Sequence, residues 1–169
     1  MPPARFIEAH NGRTGAPLRP YRADIVCGPL VEGAFAGLMV ALELEIQFSY
    51  TERVARQTEQ QFFRSGYRLP DALRAAVRNK KVAIINDVIN AGSAVRGTFE
   101  DLEQCGAHVV AIGTLLVLGT AAQEFAATKS VPLETIAALP NKLWEPANCP
   151  LCVSEIPIQD VGGFSGAQM

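Results

Sequence analysis

The strongest structural signal in the sequence is a uniformly apolar run, Val-Ala-Ile-Ile, at residues 82–85. A strand with one solvated face alternates apolar and polar residues, whereas a parallel strand covered on both faces is apolar throughout. The predicted strands comprise residues 23–27, 46–50, 82–85, 109–118 and 133–138, and the predicted helices comprise residues 33–44, 70–77, 93–104 and 121–128. This alternation of strands and helices predicts an α/β fold with a central parallel sheet flanked by helices.

Composition indicates an ordinary globular protein. The 169 residues are 49% hydrophobic and 19% charged, which favours a packed core over disorder and one domain across residues 1–169. Pro, Gly and Arg are frequent up to residue 22, and Pro is frequent from residue 140 onward. We therefore expect an irregular N-terminal segment (1–22) and a mostly irregular C-terminal tail (140–169).

Charge and cysteine content restrict partners and compartment. The net charge is −2, whereas binding to nucleic acid requires a basic face. The longest apolar stretch, residues 109–122, contains two glycines and is shorter than the about 20 residues of a membrane helix. The N-terminus lacks the pattern of a signal peptide, and four cysteines are too few for a disulfide scaffold. We expect a cytoplasmic protein that binds neither nucleic acid nor membranes.

Cys149 and Cys152 have the C-x₂-C spacing of half a zinc site. A tetrahedral site needs four ligands, and no second pair is near in the sequence. Two other interpretations stay open for this pair, a redox role and simple packing of a C-terminal turn. With zinc, the tail would form an interaction module stabilised by the metal.

The segment after the clearest strand has the features of a phosphate site. Asp87 follows the strand, and a turn with Gly92 leads into a helix that begins near Ser93. Backbone amides and the positive end of a helix can bind a phosphate, and a neighbouring carboxylate suits ribose hydroxyls or hydrated Mg²⁺. The alternative is an ordinary strand–turn–helix connection with Ser93 as the N-cap.

Two runs together resemble a known family. Residues 84–96, IINDVINAGSAVR, resemble the signature of type I phosphoribosyltransferases, which bind 5-phosphoribosyl 1-pyrophosphate (PRPP), in the variant of the orotate phosphoribosyltransferases. Residues 27–33, CGPLVEG, resemble the pyrophosphate loop of the same enzymes. The two motifs have the family's order and spacing, the resemblance covers about residues 24–118, and the pair is more specific than either motif alone.

The resemblance implies a role for each motif, within the family's fold and with an N-terminal hood reduced to about twenty residues. Asp87, preceded by Asn86, would hold the ribose, with Mg²⁺ as the cofactor. The expected phosphate cradle comprises Asn90, Ala91, Gly92, Ser93 and Ala94, and the expected pyrophosphate loop contributes Gly28, Pro29, Leu30, Glu32 and Gly33. Residues 51–69 would form a mobile lid over the site of a neighbouring subunit, which implies a homodimer, and Arg53 or Arg56 of this lid would act on pyrophosphate.

Several positions depart from the family pattern. Asn86 replaces the first of two acids, and Glu32 replaces a lysine that faces pyrophosphate. Residues 51–69 contain neither Lys nor His, whereas the family's lid uses both. Residues 119–122 are Gly-Thr-Ala-Ala, where orotate enzymes carry an arginine that binds the orotate carboxylate.

Two functions of different class are consistent with these features. The first is a PRPP-dependent phosphoribosyltransferase of the orotate type, which transfers phosphoribosyl to a nucleobase ring nitrogen and releases pyrophosphate, in pyrimidine nucleotide synthesis or with a related acceptor. The alternative is a PRPP- or nucleotide-binding protein of the same fold with little or no catalysis and a role in regulation or assembly. The departures favour this alternative.

Overall fold

A computed structural model of the chain describes residues 15–55 and 65–157. The strands are β1 (Ile25–Pro29), β2 (Gln47–Ala55), β3 (Ser65–Arg68), β4 (Lys81–Ile89), β5 (His108–Leu118) and β6 (Leu133–Leu139). The helices are α1 (Glu32–Leu44), α2 (Asp71–Val77), α3 (Ser93–Gln104), α4 (Ala121–Thr128) and α5 (Pro150–Val153), with 3₁₀ helices at Ala16–Tyr21 and Pro146–Asn148. None of these helices in the described residues is long and apolar enough to span a lipid bilayer.

The strands of the described residues form one sheet in the order β3-β2-β1-β4-β5-β6. Every neighbouring pair is parallel except β2 and β3, which are antiparallel. Strand β4 lies between β1 and β5, and residues 82–86 are all buried. The apolar run is therefore a central strand covered on both faces, and the predicted α/β fold is confirmed.

Helices cover both faces of the sheet. On one face, Ile84 of β4 belongs to a core cluster with Phe99 and Leu102 of α3. On the other face, Ile85 packs in a second cluster with Val40 of α1 and Leu18 of the first 3₁₀ helix. Because consecutive residues of β4 enter different layers, this strand joins the two halves of the core.

Helix α1 packs on the sheet with its small residues. The predicted helix is present, but the apolar residues that share one of its faces are exposed: Phe35 by 65%, Leu38 by 41%, Met39 by 65% and Leu42 by 69%. The buried residues of α1 are Gly33, Ala34, Gly37, Val40 and Ala41. Since an apolar helix stripe normally faces a core, this exposed stripe is unusual.

Both segments expected to be irregular contain short helices. Residues 16–21 form a 3₁₀ helix whose Leu18 is only 3% exposed, so the prediction for 1–22 is wrong at these positions. The apolar side chain of Leu18 anchors the turn against the sheet. The C-terminal tail, predicted to be mostly irregular, contains the second 3₁₀ helix and α5. Residues 1–14 and 158–169 lie outside the described residues.

The predicted lid is in part a β-ribbon. Residues 51–55 continue β2, residues 65–68 form β3, and Arg53 pairs with Tyr67 across the two strands. The two ends of the predicted lid segment are therefore paired strands, because antiparallel pairing extends the sheet there. Arg56 and the remainder of residues 56–64 lie outside the described residues.

Candidate active site

The turn from β1 into α1 requires glycine. A Cβ atom on Gly28 would lie 2.5 Å from the carbonyl oxygen of Gly33, a separation that real Cβ atoms do not show. The N–H of Leu30 donates to the carbonyl of Thr51 at 2.8 Å, which fixes this loop to β2. Glu32 lies exposed in the first turn of α1. The predicted pyrophosphate-loop residues, including Pro29, thus lie in one tight connection at the carboxyl end of β1.

The two sequence motifs contact each other at Gly33 and Asn86. Strands β1 and β4 are parallel neighbours, with Cys27 opposite Ile84, so their carboxyl ends meet at one edge of the sheet. A Cβ on Gly33 would lie 2.2 Å from Oδ1 of Asn86. Asn86 is 8% exposed, and its Nδ2 donates to the Val88 carbonyl at 2.8 Å. The predicted pyrophosphate loop and the predicted ribose motif are therefore in direct contact.

Asp87 belongs to β4, because the strand continues to Ile89. The main-chain carbonyl of Asp87 accepts a hydrogen bond from Oγ1 of Thr114 on β5 at 2.9 Å, which fixes its backbone. The side chain is half-buried, and its carboxylate has no hydrogen-bond or ion-pair partner among the described residues. In parallel sheets, ligands bind at the carboxyl ends of the strands, so this carboxylate is available to a ligand.

The connection from β4 to α3 ends in an uncapped helix N-terminus. Gly92 has φ +82°, a left-handed conformation that favours glycine. The first backbone hydrogen bond at this end joins the N–H of Arg96 to the carbonyl of Gly92 at 2.9 Å, so the amides of residues 93–95 precede the helical ladder. Gly92 is the N-cap and no side chain caps it. The interpretation of Ser93 as the N-cap is therefore wrong, and the end of α3 can bind an anion.

Arg96 places a positive charge beside this turn. Its Nη2 donates to the carbonyl of Ala121 at 3.2 Å, and its guanidinium carbon lies 4.5 Å from the centre of the Phe125 ring. Its Nε is buried without a partner among the described residues, and a Cβ on Gly92 would lie 3.5 Å from that Nε. The sequence motif alone does not predict that the Arg96 side chain lies near Gly92. Its position depends on its contacts with Ala121 and Phe125 of α4.

Thr51 connects the pyrophosphate loop to helix α3, and sequence reasoning did not identify this role. Its carbonyl binds the pyrophosphate loop, and its buried Oγ1 lies 2.6 Å from Oγ1 of Thr98 on α3. Arg53 lies two residues further along β2 and is exposed. A threonine at the start of a polar segment gives no sequence signal for a contact with a helix 47 residues away.

A cavity of about 750 Å³ lies at the carboxyl ends of β5 and β6. Its walls include Thr120, Gln123, Asn141, Lys142 and Trp144. Oε1 of Gln123 is buried and has no partner among the described residues. Nδ2 of Asn141 donates to Oδ1 of Asn90 at 2.8 Å. One wall of this cavity is therefore hydrogen-bonded to the turn before α3. The sequence of the C-terminal tail did not predict this contact.

The cysteine pair of the tail receives no third ligand in the described part of the chain. Cys149 and Cys152 are free thiols. Residues 15–55 and 65–157 contain no group of three or more His, Cys, Asp or Glu side chains able to hold a metal ion. The zinc interpretation therefore gains no support from these residues.

The similar proteins found by sequence and by structure are phosphoribosyltransferases. No family model matches the chain. The orotate phosphoribosyltransferase of Caldanaerobacter subterraneus subsp. tengcongensis is 27% identical over 157 residues, which cover 93% of this chain and 75% of the relative. The orotate phosphoribosyltransferase of Helicobacter pylori (strain HPAG1) is 30% identical over 145 residues, which cover 80% of this chain and 67% of the relative. The crystal structure of adenine phosphoribosyltransferase from Rhodothermus marinus has a TM-score of 0.63 at 20% identity and covers 75% of this chain and 76% of that chain, which shows the same fold.

Proposed function

Because the chain belongs to the type I phosphoribosyltransferase family, and is therefore a glycosyltransferase, we propose that it transfers the phosphoribosyl group of PRPP to a pyrimidine ring nitrogen and releases pyrophosphate. The contact between Gly33 and Asn86 is the observation that carries this proposal, since it brings the pyrophosphate motif (27–33) against the motif that would hold the ribose phosphate (84–96). We further propose that the reaction serves pyrimidine nucleotide synthesis. A cytoplasmic location stays a prediction.

The 5-phosphate of PRPP would bind at the N-terminus of α3. The amides of residues 93–95 are not used by the helix, and the dipole of α3 adds positive potential at this end. The guanidinium of Arg96 lies beside the turn and adds a fixed positive charge. These groups hold the phosphate end still, which positions the anomeric carbon for attack.

Asp87 would act on the ribose. A carboxylate with no partner among the described residues can accept hydrogen bonds from ribose hydroxyls and stabilise the positive charge that develops on the ring as pyrophosphate leaves. The same oxygen chemistry fits a magnesium ion held through water. Bound Mg²⁺ would offset the negative charge of pyrophosphate. Asn86 supplies no second carboxylate, so the ion would depend on oxygens of PRPP and on water.

Pyrophosphate would lie against the loop between β1 and α1. The exposed carboxylate of Glu32 is screened by solvent, which weakens its repulsion of the leaving group. Of Arg53 and Arg56, Arg53 lies within the described residues, on β2 just beyond Thr51, whose carbonyl holds the loop. We propose that Arg53 supplies part of the positive charge that the missing lysines would otherwise provide, with Arg56 as a second source.

The acceptor would enter the cavity at the ends of β5 and β6. Trp144 offers an aromatic face to a planar base, and the side-chain amide of Gln123, which also lines the cavity, can form hydrogen bonds with the edge of a base. Lys142 supplies a cation for a carboxylate on the base. Orotate has a planar ring, ring N–H groups and a carboxylate, so we propose it as the first acceptor to test.

The experiment measures pyrophosphate release from PRPP and Mg²⁺ with orotate, uracil and purine bases. We expect release with orotate, and a loss of about 100-fold in Asp87→Asn, because one stabilising group is removed from the transition state. Asp71→Asn is the matched control, since the side chain of Asp71, at the start of α2, is 84% exposed and forms a surface ion pair with Arg68 of β3. Full activity in Asp87→Asn would contradict the assigned role.

The alternative function, PRPP or nucleotide binding without catalysis, is favoured by Asn86 in place of an acid and by a lid segment without Lys or His. The same protein preparation distinguishes the two functions. Binding of PRPP by calorimetry, without pyrophosphate release for any base, would support the binding protein and contradict the enzyme.

We also propose a homodimer, formed through the exposed stripe of α1. Phe35, Leu38, Met39 and Leu42 carry no charge, so two copies of the stripe can pair about a two-fold axis without electrostatic repulsion. The stripe follows directly on the pyrophosphate loop, so this pairing would bring the active sites of two subunits near each other, in line with the implied lid. Such apolar surface is uncommon on a monomer.

Sedimentation velocity tests the dimer. We expect Leu42→Glu to convert dimer to monomer, because it places a charge in the apolar contact. Val153→Glu is the control, since Val153 is an equally exposed apolar residue (74%) on α5, away from the stripe. A wild-type monomer at all concentrations, or dissociation by the control alone, would contradict the proposed surface.

A further inference from the structure

We propose that Cys149 and Cys152 form a reversible intramolecular disulfide, so that the tail carries a two-electron redox site. The two thiols lie three residues apart across the single turn of α5, with Cys149 directly before the helix. Both are free, Cys152 is exposed and Cys149 is partly exposed. Reagents in solution can therefore reach the pair.

The environment of each sulfur differs. The backbone N–H of Cys152 is the main group that lowers the pKa of Cys149, with smaller effects from the Cys152 thiol and the backbone N–H of Leu151. The hydrogen bond to Cys149 raises the pKa of the Cys152 thiol. A thiolate beside a protonated thiol is the arrangement of an attacking and a resolving cysteine. The N–H of Val153 donates to the carbonyl of Cys149 at 3.0 Å, so Cys149 and Cys152 lie in one helical turn. Side chains three residues apart on such a turn are neighbours, which favours closure of a disulfide between them.

The other two cysteines, Cys27 and Cys105, are buried and are not suited to react with an oxidant in solution. Cys27 is 0% exposed and burial raises its pKa to about 12, so its thiolate is suppressed at neutral pH. Cys105 is also buried, and its pKa is raised by desolvation. No third metal ligand accompanies Cys149 and Cys152 in the described residues. One exposed and one partly exposed thiol on the same helical turn, with no metal cluster in the described part of the chain, match disulfide chemistry better than a structural zinc site.

The oxidant is a small-molecule disulfide such as oxidised glutathione. The Cys149 thiolate attacks one sulfur of the oxidant, its S–S bond breaks, and one glutathione thiolate leaves. The Cys152 thiol then gives up its proton to solvent and attacks the Cys149 sulfur, which releases the second glutathione. The dithiol loses two electrons and two protons, and one oxidised glutathione becomes two reduced molecules.

Mass spectrometry of the full chain in glutathione buffers tests this inference. After denaturation and alkylation with N-ethylmaleimide, we expect the number of alkylated cysteines to fall from four to two as the buffer becomes oxidising, because the chain has four cysteines, all free here. Without alkylation, the oxidised chain should be about 2 Da lighter, since two hydrogens are lost. Peptide mapping should place the disulfide within residues 149–152.

Single variants identify the attacking sulfur. Cys152→Ser should trap one glutathione on Cys149, because no resolving thiol remains, and Cys149→Ser should react more slowly. Four alkylated cysteines at every glutathione ratio would overturn the inference. So would a disulfide between two chains, or one zinc ion per chain that protects both thiols. Because none of these measurements uses PRPP or a base, their failure is separate from failure of the proposed function.

Discussion

Replacing Gly33 by alanine tests whether the contact between the two loops holds the site together. The new methyl carbon would lie 2.2 Å from Oδ1 of Asn86 and 3.0 Å from Cδ and Cγ of Pro29. Pro29 has a rigid ring and a fixed φ, so Asn86 is the residue that must move. Moving its side chain breaks the hydrogen bond from Nδ2 to the Val88 carbonyl.

The expected cost follows from these two effects. Overpacking of a tight site costs about 1–3 kcal/mol, and loss of a buried hydrogen bond costs about 1 kcal/mol. We expect Gly33→Ala to lower the free energy of unfolding by about 3 kcal/mol and to weaken PRPP binding. Asn86→Ala removes the clashing oxygen, so the double variant should be about 2 kcal/mol more stable than the sum of the single effects predicts.

Urea unfolding of the four proteins measures this coupling, and calorimetry measures PRPP affinity. Gly37→Ala is the control in the same helix, because its Cβ would meet only side-chain atoms at 3.3 and 3.4 Å and a backbone carbon at 3.5 Å. We expect this control to change stability by less than about 1 kcal/mol, with the gain in helix propensity offsetting the tight contact. Additive effects of Gly33→Ala and Asn86→Ala, within about 0.5 kcal/mol, would refute the reasoning.

Two further predictions concern buried polar contacts. The Asp101 carboxylate accepts the N–H of Leu69 at 2.8 Å and bonds to Arg74 at 3.0 Å, so Asp101→Asn should destabilise the fold by about 2 kcal/mol in urea unfolding, and an unchanged midpoint would contradict this. Burial and the hydrogen bond to Glu134 raise the pKa of Tyr21 from 10.0 to about 12. A raised folded-state pKa stabilises the fold below pH 10 and loses that contribution as the pH rises from 10 to 12, so Tyr21→Phe should unfold with a smaller loss of stability over this window.

The parts of the fold that depend on local pattern were predictable. Strand β4 follows from four consecutive apolar residues, and the phosphate turn follows from a strand that leads through Gly92 into a helix. The boundary of β4 was not predictable, because the strand continues through the polar Asn86 and Asp87: Asn86 pairs with Thr114 of β5, and Val88 pairs with Leu116. Their place in the sheet depends on a neighbouring strand.

The orientation of α1 on the sheet and the contacts between distant segments could not be predicted from the sequence. The apolar spacing of α1 marks a helix face, but the face that meets the sheet is the one whose glycines and alanines allow close approach. The hydrogen bonds between Thr51 and Thr98 and between Asn141 and Asn90 join segments 47 and 51 residues apart. Single polar residues give no periodic signal for such partners, so candidate residues on the loops were found and the contacts between the loops were not.

The close approach of α1 to the sheet has a mechanical consequence. Near its start, helix meets strand through main-chain atoms, as where the Gly33 carbonyl and the Ala34 Cα crowd Gly28. Main-chain atoms have no rotamers to exchange, so the amides of the pyrophosphate loop are located by covalent geometry and not by the repacking of side chains. The loop is therefore preorganised for its substrate. The conformational entropy needed to order it is lost once, when the protein folds, and not again at each catalytic cycle.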